Sequence, residues 1–465
     1  MTIWRPRPWP GRRVGPLYQA IAEALAADLE TGRLKHDDRL PTHRELAEEL
    51  GVTVGTVTRA YAEAQRRGLV RGEVGRGTYV RGSGQSAAAE DPEGAGPIDL
   101  GQNHPSLLAG GEALASTLAS IAARSGAAGL TELLDYGTEG GSPRHRAAAA
   151  AWLSRSGIEP RPQCVLICCG AQHALAVALM AVTRPGDVLL VERLTYPMLK
   201  SLASSLRLKL RGMEMDEQGI RPRALEQACR AGGARALCCV PTLQNPTAAI
   251  MSEQRRHDIA AIARRYGVTV VEDDVYGLLA GAGPRALAAL APEETFFVTS
   301  LSKTVAPGLR LGILLVPPKL LEPAAAALRV TALRTPGLTA EIAARWIQDG
   351  TAQALLAAQR TEAAARQRIA ETRLPALAGR PHRHGYHLWL PLAGGWRGES
   401  LVAAARARGV SIASSEVFLA GPGAALPPGL RLCLASPSSR ARLDSGLKIL
   451  ADLLAGKPAS ANAIV

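Results

Sequence analysis

Apolar residues in the first 80 positions recur with helical spacing. Positions 17, 21, 25 and 29 are apolar and lie on one helix face. Two shorter helical patterns follow at residues 42–50 and 53–65, and Thr42 and Thr53 are suitable N-cap residues for them. Two β-rich segments at 69–71 and 77–80 flank a turn. The pattern therefore predicts three helices followed by a β-hairpin.

After residue 97 the pattern changes to short apolar runs between alanine-rich helical segments. The runs predict β-strands at residues 164–168, 187–192, 236–240, 268–273, 295–300 and 309–316. Helical segments such as 171–182 and 253–266 separate several of them. This alternation predicts an α/β fold with a mainly parallel sheet.

A linker separates the two patterns. Residues 83–97 are small, polar, glycine or proline, which is typical of a connection between domains. We therefore predict a winged helix-turn-helix domain at 12–82 and an α/β domain at 98–455. Within the latter we expect a large lobe at about 140–320 and a smaller C-terminal lobe at about 321–455.

Composition restricts the class of protein. Of the 465 residues 47% are hydrophobic, which is typical of a globular protein. The net charge of +13 favours a polyanionic partner. The sequence has no apolar run of about 20 residues and no signal-peptide core, so we expect a cytoplasmic protein without a transmembrane helix. The seven cysteines lack the paired spacing of a zinc site, so we expect reduced thiols and no metal.

The N-terminal pattern has the layout of a DNA-binding module. In such modules the second helix of the pair enters the major groove. Here that helix is residues 53–64, and its exposed candidates for contacts to DNA are Thr53, Thr56, Thr58 and Arg59. Residues 51–82 contain six arginines and two acids, an excess that suits DNA. A protein-interaction module is the alternative interpretation.

This module resembles the GntR-type winged helix-turn-helix. The likeness is carried by RLPTHRELA at 39–47, LGVT at 50–53, GLV at 68–70 and GRGTYV at 75–80. It implies that Arg44 contacts the DNA backbone or a base edge, that Thr53 contacts phosphate and that Arg76 reaches a minor groove. Val54 stands where the family often has arginine, so base reading is expected from Arg59 or from DNA shape.

Lys303 is one of only seven lysines in the chain, and it follows a predicted strand. A lysine at this place can form a Schiff base with an aldehyde cofactor, and Ser300, Ser302 and Arg310 of the same segment can bind a phosphate. Asp273 follows another predicted strand, where a carboxylate can pair with a protonated pyridine nitrogen. Taken singly, these residues are equally typical of a surface loop or a helix cap.

Three further segments also follow predicted strands. Asn245 and Tyr276 can hydrogen-bond a ring oxygen, Tyr196 offers an aromatic face, and the helix that begins at Ala171 offers backbone N–H groups to phosphate. Because ligand sites of α/β sheets gather at the carboxyl ends of strands, these segments predict one common site.

The order of these segments resembles the fold-type I, aspartate-aminotransferase-like enzymes that use pyridoxal 5′-phosphate (PLP). The resemblance implies that Lys303 holds PLP, that Asp273 pairs with its pyridine nitrogen and that Tyr196 stacks on its ring. It gives the 3′-oxygen to Tyr276 and Asn245, and the phosphate to Ala171, Gln172, Ser300, Ser302 and Arg310. By the same resemblance Tyr136 reaches the phosphate of the partner subunit, and Arg431 binds the carboxylate of an amino acid. Asn103 is a weaker candidate for a ligand contact.

A GntR-type winged helix, a linker and an aminotransferase-like domain together form the layout of the MocR (GabR-like) regulators. The resemblance implies a homodimeric transcription regulator that binds double-stranded DNA and senses PLP, an amino acid or an amine through an aldimine at Lys303. A catalytically active aminotransferase with an appended DNA-binding domain is the alternative, and half-transamination without efficient turnover lies between the two. A third interpretation is a sensor of PLP alone, against which Arg431 argues, because PLP needs no carboxylate clamp.

Overall fold

The chain forms two compact units, Met1–Ala95 and Gly96–Val465. The computed structural model describes residues 4, 16–31, 33–34, 38–66, 69–73, 77–80, 96–106, 110–374, 382–392, 396–421 and 428–456. The predicted Arg76 contact lies outside these residues.

The N-terminal unit contains the predicted helices and hairpin. Its elements are α1 (Leu17–Glu30), α2 (His43–Leu50), α3 (Val54–Arg66), β1 (Val70–Glu73) and β2 (Gly77–Val80). The two strands are antiparallel, with Val70 opposite Val80. Apolar side chains of all three helices and of the hairpin, such as Ile21, Leu46, Val57 and Val80, share one core.

Local capping places the turn between α2 and α3. The Thr42 hydroxyl accepts from the backbone N–H of Glu45, whose carboxylate accepts from the N–H of Thr42, so α2 begins with a capping box. Gly51 ends the helix in the left-handed region at φ 64°. Thr53 then accepts from the N–H of Thr56, so α3 begins one residue later than predicted.

The larger unit alternates helices and strands as expected. In chain order its elements are β3 (Ile98–Asp99), α4 (Gly111–Leu134), α5 (Pro143–Leu153), β4 (Val165–Cys168), α6 (Ala171–Val182), β5 (Val188–Glu192), α7 (Pro197–Ser205), β6 (Lys209–Met213), β7 (Met215–Asp216), β8 (Gly219–Ile220), α8 (Pro222–Arg230), β9 (Ala234–Cys239), α9 (Glu253–Tyr266), β10 (Thr269–Asp273), α10 (Gly277–Ala280), α11 (Leu287–Leu290), β11 (Thr295–Ser300), β12 (Gly312–Leu315), α12 (Leu321–Ala332), α13 (Gly337–Gln348), α14 (Thr351–Arg373), β13 (His387–Pro391), α15 (Gly398–Ala407), β14 (Val410–Ser411), β15 (Ala413–Ser414), β16 (Gly429–Cys433) and α16 (Arg440–Ala455).

Within the described chain, seven strands form a large sheet in the order β4-β12-β11-β10-β9-β5-β6. Only β12 runs against the others, so the predicted mainly parallel α/β fold is confirmed. Its two faces are covered by different cores: Ile167 and Phe297 point into one, Leu166 and Phe296 into the other. Burial on both faces explains why these strands are continuous apolar runs. The predicted strand 309–316 is shorter than expected, because residues 307–309 form a 3-10 turn before it.

A small sheet of β13, β16 and β15 has a core of its own. Ala324 of α12 and Trp346 of α13 pack against the large sheet, although both lie beyond residue 320. In α14, Leu356 joins a large-sheet core and Ala370 joins the small-sheet core. We therefore propose a lobe boundary within α14 rather than at residue 320.

Candidate cofactor site and DNA-binding module

A cavity of about 550 Å³ lies at the carboxyl edge of the large sheet. Because β12 runs against its neighbours, the segment that leads into it reaches the same edge as the loops that follow β4, β5, β9, β10 and β11. The cavity brings together all but one of the residues predicted to hold PLP, and Arg431: Ala171, Gln172, Tyr196, Asn245, Asp273, Tyr276, Ser300, Ser302, Lys303, Arg310 and Arg431. Tyr136 is the exception; it is 77% exposed and lies outside the set of described residues that line the cavity.

One end of the cavity is built from the start of α6 and the loop after β11. Gly170 precedes α6 at φ 87°, and an added Cβ there would lie 2.7 Å from the Arg310 guanidinium. This close approach requires glycine and puts a cation beside free backbone N–H groups. The Ser302 hydroxyl is buried there without a hydrogen-bond partner among the described residues. Together these groups can bind a phosphate dianion.

Asp273 is buried and Lys303 is half-buried, and the loss of solvent around each group shifts its pKa. Burial lowers the pKa of Lys303 to about 8, so about a tenth of the amine is neutral and nucleophilic at about pH 7. Burial also raises the pKa of Asp273 to about 7, although an N–H from Val275 and the charge of Lys303 oppose the rise. Asp273 Oδ1 has no hydrogen-bond partner in the described part of the chain. A protonated pyridine nitrogen is a donor that fits this atom.

Arg431 is a buried cation that also lines the cavity. It lies on β16, donates to Asn245 Oδ1 at 2.8 Å and to the carbonyl of Gly101, and stacks on the Phe418 ring at 4.8 Å from its centroid. Its Nε is buried without a partner among the residues that the structure describes. A fixed guanidinium of this kind is suited to a carboxylate.

Sequence reasoning missed one buried residue beside the cavity. His387, at the start of β13, bonds Asn103, which in turn donates to the hydroxyl of Tyr276 at 2.9 Å. Asn103 had only the weak signal of a polar residue after a strand-like start. His387 had none, because its partner lies 284 residues away in the chain.

The N-terminal module exposes the predicted DNA-contacting side chains that the structure describes. Arg44, Thr53, Thr58 and Arg59 are exposed and Thr56 is half-buried. The Thr58 hydroxyl donates to the carbonyl of Val54 and lies 3.1 Å from His43 Nδ1. Val54, the departure from the family pattern, is itself 44% exposed at the start of α3.

Comparison with known proteins decides the family. A model of bacterial regulatory proteins of the gntR family matches residues 17–80, and one of aminotransferase class I and II matches residues 95–443. The chain belongs to the MocR family of GntR-type transcription regulators. Both halves of the expected resemblance are therefore confirmed.

Relatives of this MocR-type regulator carry both domains or share the fold of one. The uncharacterised HTH-type transcriptional regulator YdeF of Bacillus subtilis is 31% identical over 441 residues, which is 94% of each chain. The vitamin B6 salvage pathway transcriptional repressor PtsJ of Salmonella typhimurium is 30% identical over 65% of this chain and 67% of its own. An archaeal alanine:glyoxylate aminotransferase superposes with a TM-score of 0.70 over 78% of this chain and 92% of its own; at 23% identity this shows the fold.

Among the described residues of this regulator, no helix is both long enough and apolar enough to cross a membrane.

Proposed function

We propose that this regulator binds PLP through Lys303 and changes its affinity for operator DNA when an amino acid or amine reacts there. The observation that carries the proposal is the convergence, in one cavity, of a half-buried lysine, a carboxylate oxygen without a partner among the described residues, and an end suited to phosphate. When bound, PLP supplies an aldehyde carbon that a lysine or ligand amine can attack, and a ring that withdraws electrons. The name of PtsJ connects one relative to vitamin B6.

The proposed roles are those that the family resemblance implies, and they are supported by the fact that all of these residues line one cavity. Asp273 accepts from the pyridine nitrogen, and Tyr196 covers the ring. Tyr276 and Asn245 bond the ring oxygen, and Arg431 takes the carboxylate of the ligand. The phosphate is held by Ala171, Gln172, Ser300, Ser302 and Arg310.

The proposal includes a homodimer in which Tyr136 serves the partner's site. Leu134 is 83% exposed and Tyr136 is 77% exposed. A Cβ at Gly137 would lie 3.2 Å from the carbonyl of Thr335, so this segment lies close to the end of α12, where Leu333 is 53% exposed. Adjacent apolar side chains of this size are typical of a surface that a second copy covers.

Coupling between the site and DNA requires that the ligand prefer one of two states of the protein. The test is a gel mobility shift with DNA from upstream of the gene, run without PLP, with PLP, and with PLP and a panel of amino acids and amines. We expect DNA affinity to change with PLP or with one amine, and Lys303→Ala to lose that change. Lys319→Ala, which replaces an exposed lysine, is the matched control.

Two results would contradict the regulator proposal. PLP-loaded protein that binds no upstream DNA under any condition, yet transaminates through many cycles, would establish the alternative of an aminotransferase with an appended DNA-binding domain. An equal response in Lys303→Ala and in wild type would remove Lys303 from the signal.

The close approach of β12 to the phosphate-binding end gives a second prediction. A Cβ at Gly312 would lie 2.4 Å from the carbonyl carbon and oxygen of Gly170. Gly312→Ala must therefore displace Gly170 and the start of α6, and the loss of one charged hydrogen bond to the phosphate is expected to weaken PLP binding by roughly ten- to hundredfold. An absorbance titration with PLP measures this effect. Gly308→Ala, where an added Cβ meets open space, is expected to bind like wild type; equal weakening in both variants would show that the contact is unimportant.

A further inference from the structure

His387 is a buried ring whose proton position is fixed by the backbone. Its Nε2 lies 2.9 Å from the carbonyl oxygen of Gln244, and its Nδ1 lies 3.0 Å from Asn103 Nδ2. Burial lowers the pKa of His387 to about 3, so the ring is neutral and carries a single N–H. Because a carbonyl oxygen can only accept, that hydrogen must be on Nε2, and Nδ1 is an acceptor.

The acceptor at Nδ1 of His387 determines the orientation of the side-chain amide of Asn103. Only the amide nitrogen can face Nδ1, since the amide oxygen would place two lone pairs against each other. The second hydrogen of the same nitrogen is donated to the Tyr276 hydroxyl at 2.9 Å. The amide oxygen of Asn103 is buried without a partner among the described residues, so the orientation is determined by the nitrogen side.

The direction of the Tyr276 hydroxyl follows from this arrangement. Its oxygen accepts from Asn103, so its own hydrogen cannot be used there and is free for the cavity that Tyr276 lines. We propose that His387 is a positioning residue, which acts through Asn103 to make Tyr276 a hydrogen-bond donor toward the phenolic oxygen of the cofactor. The inference rests on the proposed function, since it concerns the electronic state of bound PLP.

Other titratable groups also face His387 and Tyr276, so the test must separate their effects from that of the hydrogen bonds. Arg431 and Lys303 lie near His387, and Arg431, Cys433, Asp273 and Tyr196 lie near Tyr276. The rings of Tyr276 and His387 are also in contact, with centroids 5.6 Å apart. A double-variant comparison in a Tyr276→Phe background isolates the part that passes through the hydroxyl.

The experiment is a pH titration of the visible absorbance of PLP-loaded, full-length protein. A hydrogen-bond donor to the phenolic oxygen stabilises the anionic form of that oxygen. Losing the donor therefore raises the pH at the midpoint of the absorbance titration. In His387→Leu the Asn103 amide is free to turn its oxygen to Tyr276 and draw its proton away. We expect the midpoint to rise by roughly one pH unit, as in Tyr276→Phe. The double variant is expected to show no rise beyond that of Tyr276→Phe alone.

Conservative and control variants distinguish positioning from packing. His387→Asn retains an acceptor near Nδ1 and is expected to titrate close to wild type, whereas Asn103→Ala is expected to shift upward only while Tyr276 is present. His384→Leu makes the same change at a histidine that bonds the carbonyl of Ala280 instead of Asn103, and it is expected to leave the midpoint unchanged. Thermal unfolding of each variant checks that it is folded.

Each outcome supports or overturns a stated claim. A wild-type midpoint in His387→Leu and Asn103→Ala, together with a raised one in Tyr276→Phe, would overturn the positioning role alone. The positioning role would also be overturned if His387→Leu raised the midpoint equally in the wild-type and in the Tyr276→Phe background. The rise would then come from packing or charge and not from the Tyr276 hydroxyl. Wild-type protein without a visible PLP band would overturn the proposed function, and this inference with it.

Discussion

Arg431→Ala is expected to abolish the response to amino acids while PLP still binds. Arg431 is 7% exposed and its guanidinium is held by Asn245, Gly101 and the Phe418 ring, so it would meet a ligand carboxylate already oriented and largely desolvated. Removing one partner of such a buried charged contact costs about 2–5 kcal/mol, a loss of roughly 30-fold or more in affinity. In the proposed function the phosphate and the pyridine nitrogen are bound by other residues, so the affinity for PLP is expected to change little.

Two ligands that differ only by a carboxylate test whether Arg431 recognises that group. Alanine and ethylamine are titrated into PLP-loaded protein, and the visible spectrum and DNA mobility are recorded. Wild type is expected to favour alanine, and Arg431→Ala is expected to bind the two alike. Arg406→Ala, an exposed arginine on α15, is the control. If wild type responds to PLP but to neither amine, the third interpretation, a sensor of PLP alone, replaces the amino-acid sensor.

Much of the site could be predicted because each of its segments has a local cause. A residue at or after the end of a parallel strand is placed at the carboxyl edge by the sheet itself, so Asp273 at the end of β10 and Lys303 after β11 needed only a correct identification of the strands. Helix α6 matches its predicted bounds because Gly170 and Thr183 interrupt an otherwise apolar run. The N-terminal module was equally accessible, because Thr42 and Gly51 are recognisable helix signals.

Contacts that cross the chain could not be predicted in this way. His387 meets Asn103 because β13 packs beside the N-terminal segment of the larger unit, which follows from three-dimensional packing and from no local pattern. Nor does spacing indicate that Glu192, the last residue of an apolar strand, is fully buried and accepts from the N–H of Val240 at 2.8 Å. The lobe boundary was expected at about residue 320, whereas we propose that it lies within α14. Alanine-rich helices have similar sequences whichever core they pack against, so the sequence did not distinguish the two.

Glu192 gives the second large prediction, a stability that falls as pH rises. Burial raises the pKa of Glu192 to about 8, opposed by its bonds to Val240 and Gln244 and reinforced by the charge of Asp273. In the unfolded chain the pKa of the same carboxyl is near its ordinary value of 4.5. Between these values the folded state holds a proton that unfolding releases, so the free energy of unfolding declines from about pH 4.5 to about pH 8 and is level above it.

Glu192→Gln is therefore expected to stabilise the protein at high pH and not at low pH. Glutamine keeps the acceptor for Val240 and reproduces the neutral form, so the difference from wild type should be near zero at about pH 4 and about 3–5 kcal/mol above about pH 8. Urea unfolding at both pH values measures it, with Glu217→Gln, an exposed glutamate, as the control expected to change nothing. A stabilisation that is equal at both pH values would mean that packing, not the buried proton, accounts for it.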